Sequence, residues 1–142
     1  MAAIGELREL AHGIYPAALT DDGLAAAVEA LTEHTAVPLT IIHMPQERLP
    51  CPVEAAAYFL IAETTGYLAT LAAAGGVTLD VRRHGNRLVI DVTANGAGKP
   101  DRELEARLTD LADRVGALDG QLRVEHVAGG GITIRAEMPC GS

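Results

Sequence analysis

The sequence contains very few aromatic residues. They make up 3% of its 142 residues and tryptophan is absent, although 49% of the residues are hydrophobic. Alanine, leucine, valine and isoleucine must therefore build the core, and each of them buries less apolar area than an aromatic ring would. The length suits a single domain, because a chain of roughly 100–200 residues usually forms one hydrophobic core.

Cysteines and long apolar runs are also scarce. Cys51 and Cys140 lie far apart, and no spacing of cysteines and histidines is typical of a disulfide framework or a metal site. No stretch reaches the roughly 18 apolar residues that a membrane-spanning helix needs. The first ten residues carry Glu6, Arg8 and Glu9 where a signal peptide would be apolar. We therefore expect a cytoplasmic protein, or the cytoplasmic part of a larger one, without direct membrane insertion.

The chain carries fewer positive than negative side chains. The chain has 11 lysines and arginines against 19 acidic residues, which gives a formal net charge of −8. Its long-range field repels nucleic acid and anionic lipid, so nucleic acid is not an expected partner. A bound nucleotide would need local backbone N–H groups, a helix N-terminus or a metal ion to offset this field.

Helical and strand patterns alternate along the chain. The spacing of apolar residues predicts a short helix over 7–14 that stops before Pro16, and then a second helix from Leu24 to near His34 with capping side chains at 19–23. A strand over 37–43 and a long, largely buried helix over 53–74 come next. The remaining pattern predicts a hairpin over 77–92 that turns at 84–86, an amphipathic helix over 104–118 that ends at Asp119-Gly120, and a second hairpin over 122–136. Two packed layers of helices and strands indicate an α+β sandwich.

Several segments resemble one known family in their order and spacing. Residues 7–19, LRELAHGIYPAAL, resemble the end of the dimerisation helices in bacterial two-component sensor histidine kinases of the nitrate-sensor type, and residues 24–31 resemble the segment that comes after those helices. Residues 112–115, residues 120–122 and the triplet at 129–131 extend the resemblance over nearly the whole chain. It implies the Bergerat (GHKL) fold of the histidine kinase catalytic and ATP-binding domain, which is a two-layer sandwich of a mixed sheet packed on about three helices.

The first nucleotide motif of that family lies on a helix, with a glutamate followed four residues later by an asparagine that helps to hold magnesium. By this resemblance Glu63 is the candidate catalytic, water-activating carboxylate, and the alternative is a polar residue at the rim of the helix. Tyr67 stands at the asparagine position, and Thr70 and Leu71 stand where lysine and histidine are usual. A neutral phenol is a poor ligand for a hard cation. We interpret its ring as a filler of the nucleotide pocket.

The second motif of the family reads Asp-x-Gly-x-Gly, and its aspartate accepts a hydrogen bond from the adenine amino group. Residues 94–98 here read Ala-Asn-Gly-Ala-Gly, so both glycines remain and the aspartate is lost. Asn95, Gly96 and Gly98 are the candidate nucleotide-binding residues at this position. Thr133 is a further candidate, because the family often has a threonine after the glycine triplet, although Ile132 comes first here.

The third motif, usually Gly-x-Gly-Leu before the last helix, corresponds to residues 104–108 and contains no glycine. Its backbone could not wrap phosphate in the usual way, and Glu103 and Glu105 would repel phosphate. The cofactors that the resemblance implies are ATP and Mg²⁺, with weakened or lost binding.

The leading interpretation is a histidine kinase-like domain of two-component signal transduction that has become a regulatory or interaction module, in other words a pseudokinase. One alternative is an active but divergent ATP-binding domain, which Glu63, Gly96 and Gly98 motivate. Another is a partner-binding domain of the anti-sigma-factor type. Enzymatic activity stays open, because the resemblance is to a kinase family whereas the nucleotide motifs look impaired and His12 lies beyond the family's usual phosphoacceptor position, so that the phosphoacceptor segment is not expected here.

The resemblance also divides the chain and suggests its partners. Residues 1–19 correspond to a remnant of the dimerisation helix with its linker, and residues 20–142 correspond to the ATPase-like domain. An apolar stripe at Leu7, Leu10, Ala11 and Ile14 favours self-association. The expected partners are a second copy of the chain, a partner histidine kinase or a response regulator.

Overall fold

The structure is a computed structural model that describes residues 17–33, 39–71, 76–95, 102–127 and 131–140. Four helices and five strands lie in these ranges. In chain order they are α1 (Ala17–Asp22), α2 (Leu24–Thr32), β1 (Leu39–His43), α3 (Cys51–Leu71), β2 (Val77–His84), β3 (Arg87–Ala94), α4 (Arg102–Gly116), β4 (Gln121–Val127) and β5 (Gly131–Pro139). The predicted helix over 7–14 lies outside the described residues.

The five strands form one mixed sheet in the order β1-β2-β3-β5-β4. β1 runs parallel to β2, and the other neighbouring pairs are antiparallel. Both predicted hairpins are confirmed, and the first turns at Gly85 and Asn86, where Gly85 has a φ of 64° that favours glycine. Along β3 and β5 every second side chain is buried, which is the alternation that the sequence shows.

One face of the sheet carries the core. Side chains of β2, β3 and β5 that are almost fully buried pack with side chains of the helices, among them Leu79, Ile90, Ile134, Leu60 and Leu104. α3 contacts β2, β3 and β5, whereas α4 contacts β4 and β5. The helices therefore form the second layer, and the predicted α+β sandwich of a mixed sheet on about three helices is confirmed. No helix within the described ranges is long and apolar enough to cross a membrane.

The start of α2 differs from the sequence prediction. The N-cap residue is Gly23, and no side chain caps the helix, so the capping side chains predicted at residues 19–23 are wrong for this helix. Residues 17–22 form the separate helix α1 instead. Gly23 has a φ of 96°, which favours glycine, whereas the Cδ of Arg48, 2.8 Å from where a Cβ would lie, belongs to a flexible side chain that could shift.

A buried carboxylate anchors this corner of the domain. Glu54, only 2% exposed, accepts two hydrogen bonds of 3.1 Å from Arg48 and one of 3.1 Å from the backbone N–H of Leu49. A buried carboxylate is tolerated when it is paired in this way. The loop before α3 is thereby fixed to the first turn of that helix.

Candidate functional site

The helix α3 places Glu63 on the side that faces α4. α3 has no proline after its first turn and consists mainly of alanine, leucine and other helix formers, so 21 residues continue without a break. Phe59, Glu63 and Tyr67 follow one another at intervals of four residues, which puts them on one face of the helix. Leu60, Ile61 and Leu68 point into the core.

The facing helix α4 is amphipathic. Leu104, Leu108, Leu111 and Val115 are buried, while Glu103, Arg107 and Arg114 are exposed. Between α3 and α4 lies a groove of about 770 Å³, whose walls include Phe59, Glu63, Glu103, Arg107 and Arg114. A second depression of about 430 Å³ adjoins it, and Glu63, Glu103, Arg107 and Tyr67 are among its walls. We call these two depressions together the α3–α4 groove.

Arg107 lines both depressions of the α3–α4 groove. Its Nη1 donates a hydrogen bond to Oε1 of Glu63 at 3.2 Å, and its Nη2 donates one to Oε2 of Glu103 at 3.1 Å. The guanidinium also lies 5.1 Å from the centre of the Tyr67 ring, within the range of a cation–π contact. The hydrogen bond with Glu103, followed by the charges of Glu103 and Glu63, raises the pKa of Arg107 above its ordinary value despite partial desolvation.

Arg114 makes a similar contact further along the groove. Its guanidinium lies 4.0 Å from the centre of the Phe59 ring. No carboxylate in the described part of the chain forms an ion pair with it. Two arginine–aromatic contacts thus join the two helices. Within the described ranges, carboxylates pair with Arg107 and none pairs with Arg114.

Ala94 is the last residue of β3 and is the residue that the sequence resemblance aligns with the adenine-binding aspartate of the family. The side chain is fully buried, and its partners in the neighbouring strands, Val77 and Ile132, are buried as well. Position 94 is therefore part of the hydrophobic core. Asn95, the next residue, is exposed in a turn. Gly96 and Gly98 lie outside the described residues.

Thr133 does not lie in the α3–α4 groove with Glu63. Its hydroxyl lies 2.9 Å from the hydroxyl of Thr93 on the neighbouring strand. Both threonines alternate with buried residues, so they lie on the face of the sheet away from the helices. Of the predicted site residues that are described, Glu63 lies in the α3–α4 groove, whereas Asn95 and Thr133 lie elsewhere. Their roles in nucleotide binding stay predictions.

The residues present do not fit a magnesium ion beside Glu63. Mg²⁺ requires near-octahedral oxygen ligands at about 2.1 Å. Here the Glu63 carboxylate accepts a hydrogen bond from a guanidinium that would repel the metal, and the position four residues later is a tyrosine. Among the described residues, no group of three or more acidic, histidine or cysteine side chains could hold a metal ion.

Comparison with solved structures shows which known fold has this arrangement. The histidine kinase domain from the Erythrobacter litoralis EL346 blue-light activated histidine kinase superimposes with a TM-score of 0.65 over 83% of this chain at 17% identity. The chain has the fold of a histidine kinase catalytic domain. The EL346 blue-light activated histidine kinase and full-length ShkA, in a crystal structure with AMPPNP, each superimpose with a TM-score of 0.60, at 18% and 16% identity over 82% and 84% of this chain.

The chain is shorter than these histidine kinases. It spans 63% of the EL346 histidine kinase domain, 42% of the EL346 kinase and 29% of full-length ShkA. No protein-family model matches the sequence, and no curated protein matches it either. At these identities the comparison establishes the fold of the histidine kinase-like domain and leaves its activity to be inferred from the site.

The role of Arg107 is absent from the sequence predictions. The resemblance treats residues 104–108 as a motif that lacks glycine, and such a pattern says nothing about the contacts of Arg107. A signal was present in the spacing: Phe59 and Tyr67 are eight residues apart on α3, and Arg107 and Arg114 are seven apart on α4. Both intervals return to the same side of a helix after about two turns, so the spacing is compatible with two aromatic–arginine pairs once α3 and α4 are known to pack against each other in antiparallel directions.

Replacing Tyr67 with alanine should destabilise the domain. The ring packs against the core but is half-buried, so we expect a loss of about 2 kcal/mol, below the roughly 3–5 kcal/mol of a fully buried aromatic. Urea unfolding of Tyr67→Ala and Tyr67→Phe measures the difference, and the phenylalanine variant should keep most of the stability. An unchanged midpoint for Tyr67→Ala would show that the ring is a surface group and fills no pocket.

Proposed function

We propose that this chain is a histidine kinase-like ATPase domain of two-component signal transduction, of the nitrate-sensor type, in which ATP binding is degenerate. The domain acts in the cytoplasm as a regulatory or interaction module in place of a catalyst. Residues 20–142 form the ATPase-like domain, and residues 1–19 are a remnant of the dimerisation helix and its linker.

The buried position of Ala94 is the observation that carries this proposal. In the resembling family the aspartate at this position recognises adenine, whereas Ala94 has no polar group and is enclosed between Val77 and Ile132. A site built to hydrogen-bond a base loses selectivity when that partner is absent, on the order of 1–3 kcal/mol. Tyr67 and Arg107 add to the case, because they occupy the part of the α3–α4 groove beside Glu63.

An active ATP-binding domain is the alternative. Glu63, which matches the family's water-activating glutamate, lies at the surface of the groove with its side chain 40% exposed. In the proposed module this carboxylate binds Arg107 and has no catalytic role, and Asn95, Gly96, Gly98 and Thr133 are family positions that no longer form a tight nucleotide site. The affinity for magnesium-ATP separates the two possibilities.

The proposed partners are a second copy of this chain, a histidine kinase or a response regulator. Leu19, at the proposed boundary, is buried in the core. The segment that precedes it in the sequence carries the apolar residues Leu7, Leu10, Ala11 and Ile14. An apolar stripe on that segment would be covered by association with another chain.

Removing the first 15 residues should therefore reduce self-association. Sedimentation velocity of the full chain and of residues 16–142 at the same concentrations measures the change. We expect a concentration-dependent dimer for the full chain and a monomer for the shortened one. A full chain that stays monomeric at the highest concentration would remove the support for a dimerisation remnant.

A further inference from the structure

Arg107 contacts the two side chains that the resemblance aligns with the first nucleotide motif of the family. Glu63 and Tyr67 stand at the glutamate and asparagine positions of the first motif, one helical turn apart. The Arg107 guanidinium contacts both of these side chains, through a hydrogen bond of 3.2 Å to Glu63 and a separation of 5.1 Å from the Tyr67 ring. Its second branch binds Glu103 at 3.1 Å. A positive group thus lies between two carboxylates and over an aromatic face.

We infer that Arg107 is a built-in replacement for the divalent cation, and that it keeps metal ions out of the α3–α4 groove. This inference rests on the proposed function, because it explains how a domain without a metal-binding asparagine satisfies the carboxylate that remains. The inference goes beyond the proposed function in one respect. The chain has not only lost a metal ligand at position 67 but also supplies its own cation beside Glu63.

The chemistry of the side chains suits this replacement. A guanidinium is planar, stays charged at every physiological pH and presents a fork of donors that can serve two carboxylates at once. Glu103 lies four residues before Arg107 on α4, so it orients the guanidinium from its own helix while Glu63 accepts from the opposite helix. Tyr67 replaces a potential metal ligand by a ring face, which attracts an arginine more readily than it binds a hard cation.

Replacing the arginine should expose a latent cation site. In Arg107→Gln the carboxylates of Glu63 and Glu103 lose their positive partner, whereas a polar side chain without charge remains at position 107. Titration with Mn²⁺, followed by the electron paramagnetic resonance signal of the free ion, should show binding at least tenfold tighter than that of the unsubstituted chain. Adding Glu63→Gln should abolish the gain.

Arg114→Gln is the matched control. It removes an equal charge and another arginine–aromatic contact from the same helix, but Arg114 has no ion pair with a described carboxylate. We expect its Mn²⁺ affinity to equal that of the unsubstituted chain. Arg107→Lys, which keeps the charge, should also exclude the metal. Circular dichroism and the thermal midpoint test whether each variant is folded. We expect every variant to fold, because exposed ion pairs contribute little to stability.

The outcomes separate this inference from the proposed function. Equal Mn²⁺ affinity in Arg107→Gln, Arg114→Gln and the unsubstituted chain would overturn the metal-replacement role, even if the chain binds no nucleotide. Mn²⁺ binding to the unsubstituted chain as tight as to Arg107→Gln would overturn it as well. Micromolar binding of magnesium-ATP to the unsubstituted chain would instead contradict the proposed function itself.

Discussion

Replacing Ala94 with aspartate, the residue that the histidine kinase family carries there, is expected to destabilise the domain by about 3 kcal/mol. The side chain would enter a fully buried position between Val77 and Ile132, neither of which offers a polar partner in its side chain. A buried carboxylate must then remain unpaired or take up a proton, and both cost stability. Urea unfolding at neutral pH measures the loss.

The control for this experiment is Ala136→Asp. Ala136 is also a fully buried alanine, lies on the adjacent strand β5 and faces the same core, but no resemblance places a ligand there. If position 94 is part of the core, both substitutions should cost a similar amount. A small loss for Ala94→Asp beside a large one for Ala136→Asp would mean that an adenine pocket still admits the carboxylate.

The architecture could be predicted because hydrophobic periodicity determines it locally. Alternating apolar residues at 77–81 and 88–92 enclose a Gly-Asn turn, and the structure forms β2 and β3 on either side of that turn. The prediction of a long helix over 53–74 corresponds to α3 at Cys51–Leu71. Apolar spacing over 104–118 likewise corresponds to α4 at Arg102–Gly116.

Details at helix ends are harder to predict, since they depend on tertiary contacts. The sequence predicts that Asp119-Gly120 ends α4 as a glycine commonly does, yet the residue with positive φ is Asp119 at 64°. Glycine is needed at 120 for a different reason, because a Cβ there would collide with the carbonyl of Glu137 and with Val115. At the N-cap of α2 no side chain caps the helix, and glycine is favoured at position 23 by its φ of 96°.

The candidate site was predictable only in part. Resemblance identified Glu63 and the altered position 67, because these residues lie close together in sequence. It could not show that Arg107, which is 44 residues after Glu63, bridges the same carboxylate. That contact depends on the packing of α3 against α4, and a sequence motif defined by its missing glycines carries no information about it. The burial of Ala94 likewise depends on Val77 and Ile132, which lie beside it only because of the way the strands pair.

The two candidate functions differ most in the affinity for ATP that each of them predicts. A kinase domain that binds ATP with a micromolar dissociation constant gains about 8 kcal/mol, whereas a millimolar constant corresponds to about 4 kcal/mol. In this chain the residue that the resemblance aligns with the adenine-binding aspartate is a buried alanine, and the carboxylate that it aligns with the glutamate of the metal-binding motif is paired with Arg107. Loss of both contacts should move the affinity towards the weaker end of this range.

Calorimetric titration of the unsubstituted chain with magnesium-ATP is the most direct test of a degenerate ATP site. We expect a dissociation constant weaker than about 1 mM, with little change when magnesium is omitted, since the chain holds its own cation beside Glu63. A micromolar dissociation constant that depends on magnesium would contradict the proposal and identify the chain as an ATP-binding histidine kinase domain.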